Sequence, residues 1–226
     1  MDLTERLRSS PSTVAELIEH TNVDPRSRAA TVDALCDEVL HNGFRAAVVV
    51  PYHAERVARR LDGRAATVAV VGFPYGVQPT PAKRAEVEAV AAHVDEVDMV
   101  MQQTAFHNGD LETVRDDVAG VKAVAGDRPL KCIIESPVLK PAEIRTAAST
   151  VAEAGADVVK TAVGYDGPTD PEEVRHIREA VGDDVGVKAS GGIADFETAI
   201  AMVEAGATHI GTSSGVSIVD SIDSSE

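Results

Sequence analysis

The sequence predicts a single (β/α)8 TIM barrel spanning residues 1–226, with a short N-terminal helix, and three observations predict it. Short β-branched runs alternate with longer helical patterns along the chain. That is the order of repeated βα units with right-handed crossovers, which build either an open doubly wound sheet or a closed barrel. The units number eight over 226 residues, which favours the barrel and sits near the usual length of one. Finally, residues 153–164 read EAGADVVKTAVG and residues 204–215 read EAGATHIGTSSG. The two segments lie two units apart, as quasi-symmetric barrel strands would.

The first strand is expected at 17–23, preceded by the short helix. The others follow at 45–50, 66–72, 96–101, 130–135, 157–161, 186–189 and 208–211. Most are apolar throughout, the pattern of parallel strands covered on both faces. Helical patterns occupy 28–41, 54–61, 82–93, 111–124, 142–153, 171–181 and 196–204. Pro81, Pro141 and Pro171 stand where a helix begins, a position whose N–H needs no intrahelical partner. Gly43, Gly155, Gly182 and Gly206 stand where helices close. Residues 219–226 have the composition of a disordered tail.

The hydrophobic fraction of 44% is that of a globular chain. No apolar run approaches the ~18 residues of a membrane span, and the first ten residues carry no signal-peptide pattern. The formal net charge of −16 argues against nucleic acid or an anionic membrane as partner. It comes from 37 acids and very few lysines, which are Lys83, Lys122, Lys131, Lys140, Lys160 and Lys188. Such a surface suits a salt-rich cytoplasm, where salt screens its self-repulsion. Cys36 and Cys132 make no CxxC, consistent with a reducing compartment. The seven histidines form no HxH or HExxH pattern, so no catalytic metal is expected. The oligomeric state is left open, a homo-oligomer included.

The chemistry points to lysine. Asp98 lies inside EVDMVM, Lys131 opens KCII, Lys160 ends DVVK and Lys188 lies in VGVKAS. A chain that otherwise avoids lysine has placed half its supply in core strands, where the charge is expensive to bury unless paired. One reading is structural: each makes an internal ion pair with Asp98, Glu135 or Asp157. The other is catalytic. Burial and a neighbouring like charge both disfavour the ammonium. The resulting free amine attacks a carbonyl, and its iminium accepts the electrons of a breaking carbon–carbon bond. Two loops of small residues follow the last strands, Ser190-Gly191-Gly192 and Gly211-Thr212-Ser213-Ser214-Gly215. In such barrels these loops recurrently bind phosphate, so the expected partner is a small phosphorylated substrate.

These strings resemble a known family. IEHT, VGFPYG, EVDMVM, KCIIES, GADVVKTAVGY, VGVKASGGI and GATHIGTSSG follow the motifs of the deoxyribose-phosphate aldolases in order, over roughly residues 17–219. The resemblance implies reversible cleavage of 2-deoxy-D-ribose 5-phosphate to D-glyceraldehyde 3-phosphate and acetaldehyde, without a cofactor, in deoxynucleoside catabolism. By matching motifs it gives Lys160 the Schiff base, Lys188 the second lysine and Asp98 the proton relay. It makes Lys131 an additional lysine of the substrate site. Gly164, Gly191, Gly192, Ser213 and Ser214 take the phosphate-binding positions. The chain departs from the pattern in four places. Glu19 stands for an Asp, Val48 for a Cys and Ala194 for a basic residue, and a C-terminal tyrosine tail is absent. The competing readings are another lysine-dependent barrel aldolase, a phosphosugar isomerase and a non-catalytic binding protein.

Overall fold

Eight parallel strands close on one another in the computed structural model, which describes residues 3–222. They are β1 (Ile18–Asn22), β2 (Ala46–Val49), β3 (Ala66–Val71), β4 (Glu96–Val100), β5 (Leu130–Ile133), β6 (Val158–Lys160), β7 (Gly186–Ser190) and β8 (His209–Thr212). Spatial order follows sequence order and β8 pairs with β1. The helices are α1 (Leu3–Ser9), α2 (Ala29–Asn42), α3 (Ala54–Leu61), α4 (Thr80–Val90), α5 (Gln103–His107), α6 (Leu111–Ala125), α7 (Pro141–Glu153), α8 (Pro171–Val181), α9 (Phe196–Glu204) and α10 (Gly215–Asp220). This is the expected (β/α)8 barrel.

Details differ from the sequence reading at short elements. Helix α4 begins at Thr80, two residues earlier, and stops at Val90, short of His93. Helices α5 and α10 have too few residues to show a period, and neither was expected. The expected disordered tail is corrected at its start. Val219 and Asp220 complete α10, and Val219 and Ile222 pack on the core. Residues 223–226 lie outside the described residues. Gly43, Gly155, Gly182 and Gly206 all carry positive φ at helix ends, as expected.

The strands do alternate, although their sequences hide it. Val97, Met99, Leu130, Cys132, Val159, Val187, Ala189 and Ile210 face outward into one continuous core beneath the helices. Their neighbours face the lumen, and the lumen has two halves. Ala46, Val48, Val68 and Val70 of β2 and β3 form a small apolar cluster. From β4 round to β1 the lumen carries Asp98, Lys131, Lys160, Lys188 and Glu19, all buried. An alternation of Val against Ala is invisible as polarity, whereas the second half shows itself as charge.

Candidate active site

Strand pairing brings the candidate residues together. Lys160 ends β6 and sits in register with Lys188 of β7, and Asp98 of β4 with Lys131 of β5. The carboxylate of Asp98 is the centre of the group. Its Oδ2 accepts from Lys160 Nζ at 2.8 Å and from Lys188 Nζ at 2.7 Å, and its Oδ1 from Lys131 Nζ at 3.0 Å. Lys188 also donates to Glu19. Lys131 meets Glu96 at 2.5 Å and Glu19 at 3.3 Å. Arg45 closes the network from below by donating to Glu19 at 2.7 Å and by pairing with Glu96. The ion-pair reading of the strand lysines was therefore right about Asp98 but not about the other partners. Asp157 pairs with Lys122, and Glu135 accepts from a backbone N–H.

Seven charged groups thus form one cluster, buried except for the half-buried Arg45 at its lower edge: the cations Arg45, Lys131, Lys160 and Lys188 against the carboxylates Glu19, Glu96 and Asp98. Burial alone would push the carboxylates up. The lysines outweigh it, holding Glu19 near 2 and Asp98 well below the usual range. His209, half-buried beside them, is lowered by that burial to about 4 and stays neutral. With one cation in excess, the cluster balances when one lysine gives up its proton, since an uncompensated buried charge is costly. Lys160 is the one that yields. Burial lowers it first and the Lys188 charge adds to this, against Asp98, to about 8. Lys131 is held the other way. Burial opposes its charge, but Asp98, Glu19 and Glu96 raise it.

Lys160 is also the only lysine that lines a cavity at the mouth of the barrel. A cavity of about 600 Å³ lies above it, walled by Lys160, Val163 to Tyr165, Ser190 to Ala194, Gly211 to Ser214 and residues 21–26. Gly164, Gly191, Gly192, Ser213 and Ser214 line it as expected. Lys188 and Asp98 lie directly behind Lys160, fully buried. Lys131 corrects the sequence reading. It is fully buried, does not line the cavity and has its nitrogen among three carboxylates, so it sits one layer too low to touch a substrate.

The loops are fixed by three threonines, of which the sequence reading named only Thr212, and that one as part of the phosphate loop. Thr161 and Thr169 both donate to the Ser190 carbonyl, at 3.0 and 2.6 Å, tying the β6 loop to the β7 loop. Thr212 donates to the Ile193 carbonyl at 2.6 Å and accepts from Ser214 N–H, tying the β7 loop to the β8 loop. Gly192 has φ +74, and a Cβ there would meet Pro168 at 2.7 Å, so only glycine turns the chain here. At Gly211 a Cβ would lie 2.7 Å from Lys188 Cε. Glycine there lets the lysine lie flat along β8.

Glu135, at the mouth end of β5, has left-handed φ of 56° and is buried. One carboxylate oxygen accepts from Val163 N–H at 3.0 Å and the other has no partner. Burial pushes it up to about 7. Its folded value lies above its unfolded one, so its contribution to stability is present at acid pH and is lost as pH rises through 7. Glu135→Gln keeps an acceptor for Val163 and removes the charge. It should raise Tm by several degrees at pH 8, from about 2–3 kcal/mol, and change it little at pH 5. Equal shifts at both pH values in calorimetry would show that ionisation is not the cause.

Known proteins place this arrangement. The profile of the DeoC/LacD family aldolases matches residues 10–221. The chain belongs to that family. A DeoC/LacD relative, the deoxyribose-phosphate aldolase of Brevibacillus brevis, is 46% identical over 205 residues, covering 89% of this chain and 93% of its own. That of Methanothermobacter thermautotrophicus is 45% identical over 92% of this chain and 94% of its own. The solved tetrameric deoxyribose phosphate aldolase from Aeropyrum pernix superposes with a TM-score of 0.88 at 31% identity, covering 100% of this chain and 98% of that one. Among the described residues no helix is long and apolar enough to cross a membrane, and no group of three His, Cys, Asp or Glu could hold a metal.

Proposed function

We propose that this chain cleaves 2-deoxy-D-ribose 5-phosphate reversibly to D-glyceraldehyde 3-phosphate and acetaldehyde through a Schiff base on Lys160. One observation carries the reading: of the lysines, only Lys160 meets the cavity, and it is the one whose ammonium the buried cluster disfavours. Its amine adds to C1 of the open-chain sugar, and loss of water gives the iminium. A base takes the proton of the C3 hydroxyl, the C2–C3 bond breaks and its electrons pass into the iminium as an enamine. Glyceraldehyde 3-phosphate leaves, C2 of the enamine takes a proton, and water releases acetaldehyde. Asp98 and Lys188, bonded to one another behind Lys160, move those protons through water in the cavity. Gly164, Gly191, Gly192, Ser213 and Ser214 receive the phosphate. Lys131, Glu19, Glu96 and Arg45 support the charge of the site from below.

The acidic surface adds a salt-rich cytoplasm to the proposal, and the substrate adds deoxynucleoside catabolism. The test is acetaldehyde release from deoxyribose 5-phosphate in EDTA, at low and molar KCl. Activity should survive chelation and rise with salt. No acetaldehyde in either salt sinks the assignment. Loss on chelation, restored by a divalent ion, sinks the lysine mechanism. A flat salt response removes the halophilic setting only.

A further inference from the structure

The cavity is walled by the loops after β6, β7, β8 and β1, four neighbours in the closed barrel. Its charged wall residues are Lys160, Asp24 and Arg26. Lys160 is committed to the carbonyl end of the substrate. The small-residue loops between the two ends offer hydroxyls and backbone N–H groups but no full charge, and Ala194 adds none. A phosphate dianion approaching a chain of net charge −16 is repelled unless a local cation receives it. Arg26 is the cation on this wall that is free to do so.

The turn around it is built to present it. Asp24 Oδ1 accepts from Arg26 N–H at 2.9 Å and from Arg26 Nε at 3.1 Å. Ser27 N–H donates to the Asp24 carbonyl at 3.0 Å, and Ser27 Oγ donates to Asn22 Oδ1 at 2.7 Å, anchoring the turn to the end of β1. Asp24 thus holds the guanidinium by its Nε edge. The two Nη groups have no protein partner among the described residues, and the side chain is 88% exposed. Across the mouth stands Tyr165, whose phenol feels the charges of both Asp24 and Arg26. A surface pair of this kind is screened by solvent and adds little to stability, so stability gives little reason for it. A guanidinium held at one edge, with its fork free, matches the geometry of a phosphate monoester.

We propose that Arg26 is the phosphate-binding cation of this site and sets its preference for phosphorylated over unphosphorylated sugar. This rests on the cleavage reaction proposed above. The experiment compares wild type with Arg26→Gln at one fixed KCl concentration, on deoxyribose 5-phosphate and on deoxyribose. The expected result is a KM about tenfold or more higher for the phosphorylated sugar, equivalent to about 1.4 kcal/mol or more. The kcat should stay within about twofold, Tm should be unchanged, and KM for deoxyribose should move less than twofold. Equal change on the two sugars, or no change on either, overturns the proposal. Calorimetry with inorganic phosphate separates it from the reaction itself. If wild type cleaves neither sugar, the cleavage reading fails. Arg26 is then judged on phosphate alone, where Arg26→Gln should weaken binding about tenfold, and equal affinity of the two proteins rejects it.

Discussion

Borohydride added together with deoxyribose 5-phosphate is expected to stop turnover and leave a reduced adduct on the peptide that contains Lys160. The expectation follows from access as much as from charge. Four of the six lysines are buried, Lys83, Lys131, Lys160 and Lys188, so burial alone does not pick the nucleophile. Lys83 of α4 is sealed against Asp117 of α6 at 2.5 Å and the Val100 carbonyl at 2.9 Å, outside the lumen. Lys131 is held as a cation by three carboxylates, and Lys188 lies behind the wall. Lys160 at about 8 is roughly one-tenth free amine at pH 7. Lys160→Arg should abolish trapping and lower turnover by about four orders of magnitude or more, because a guanidinium stays protonated and forms no iminium. Peptide mass spectrometry decides. An adduct on Lys131 or Lys188 would reverse the assignment, and acetaldehyde released with no adduct on any lysine would remove the Schiff base.

Much of this could be read from the sequence, for a physical reason. The barrel announces itself through eight repeats of one local unit, and a lysine inside a Val-rich strand is conspicuous because burial makes it costly. What stayed hidden depends on closure. Glu19 and Lys188 lie 169 residues apart and meet only because β8 returns to β1. Glu19 was visible as a departure from the family pattern, yet its bond to Lys188 was not. Arg45 and Glu96 sit at strand starts, where a charge looks like solvated surface, but the barrel floor turns Arg45 onto Glu19 and Glu96, and Glu96 onto Lys131. Lys131 was misplaced because period-2 alternation gives its face but not its height. Val158, not Lys160, is its partner on β6, which puts it one layer down. Thr161 and Thr169 carried no signal, and Thr212 only that of its loop, since a threonine in a loop is common and only its partner makes it structural.

Lys188→Met should separate two effects that coincide in the native enzyme. The buried cluster holds four cations and three carboxylates, so a neutral Lys160 balances it. Without Lys188 the balance favours a protonated Lys160 instead, and the midpoint for adduct formation should move up from about 8. Two like charges ~4 Å apart, at an effective dielectric of about 20, would by themselves support a shift of 2–3 units. Burial, however, is the larger cause at Lys160, and it remains after the substitution. The expected shift is therefore about one unit, which makes adduct formation roughly tenfold slower at pH 7 and restores it near pH 9.5. Loss of the Lys188 proton path has no such remedy. General acid–base groups contribute about 10²–10⁴-fold, so turnover should stay depressed by that order even where adduct formation has recovered. Stopped-quench trapping across pH, beside steady-state acetaldehyde release, reads both. A profile that does not move means burial alone sets the Lys160 amine. Turnover that recovers together with trapping means Lys188 acts only through its charge and passes no proton.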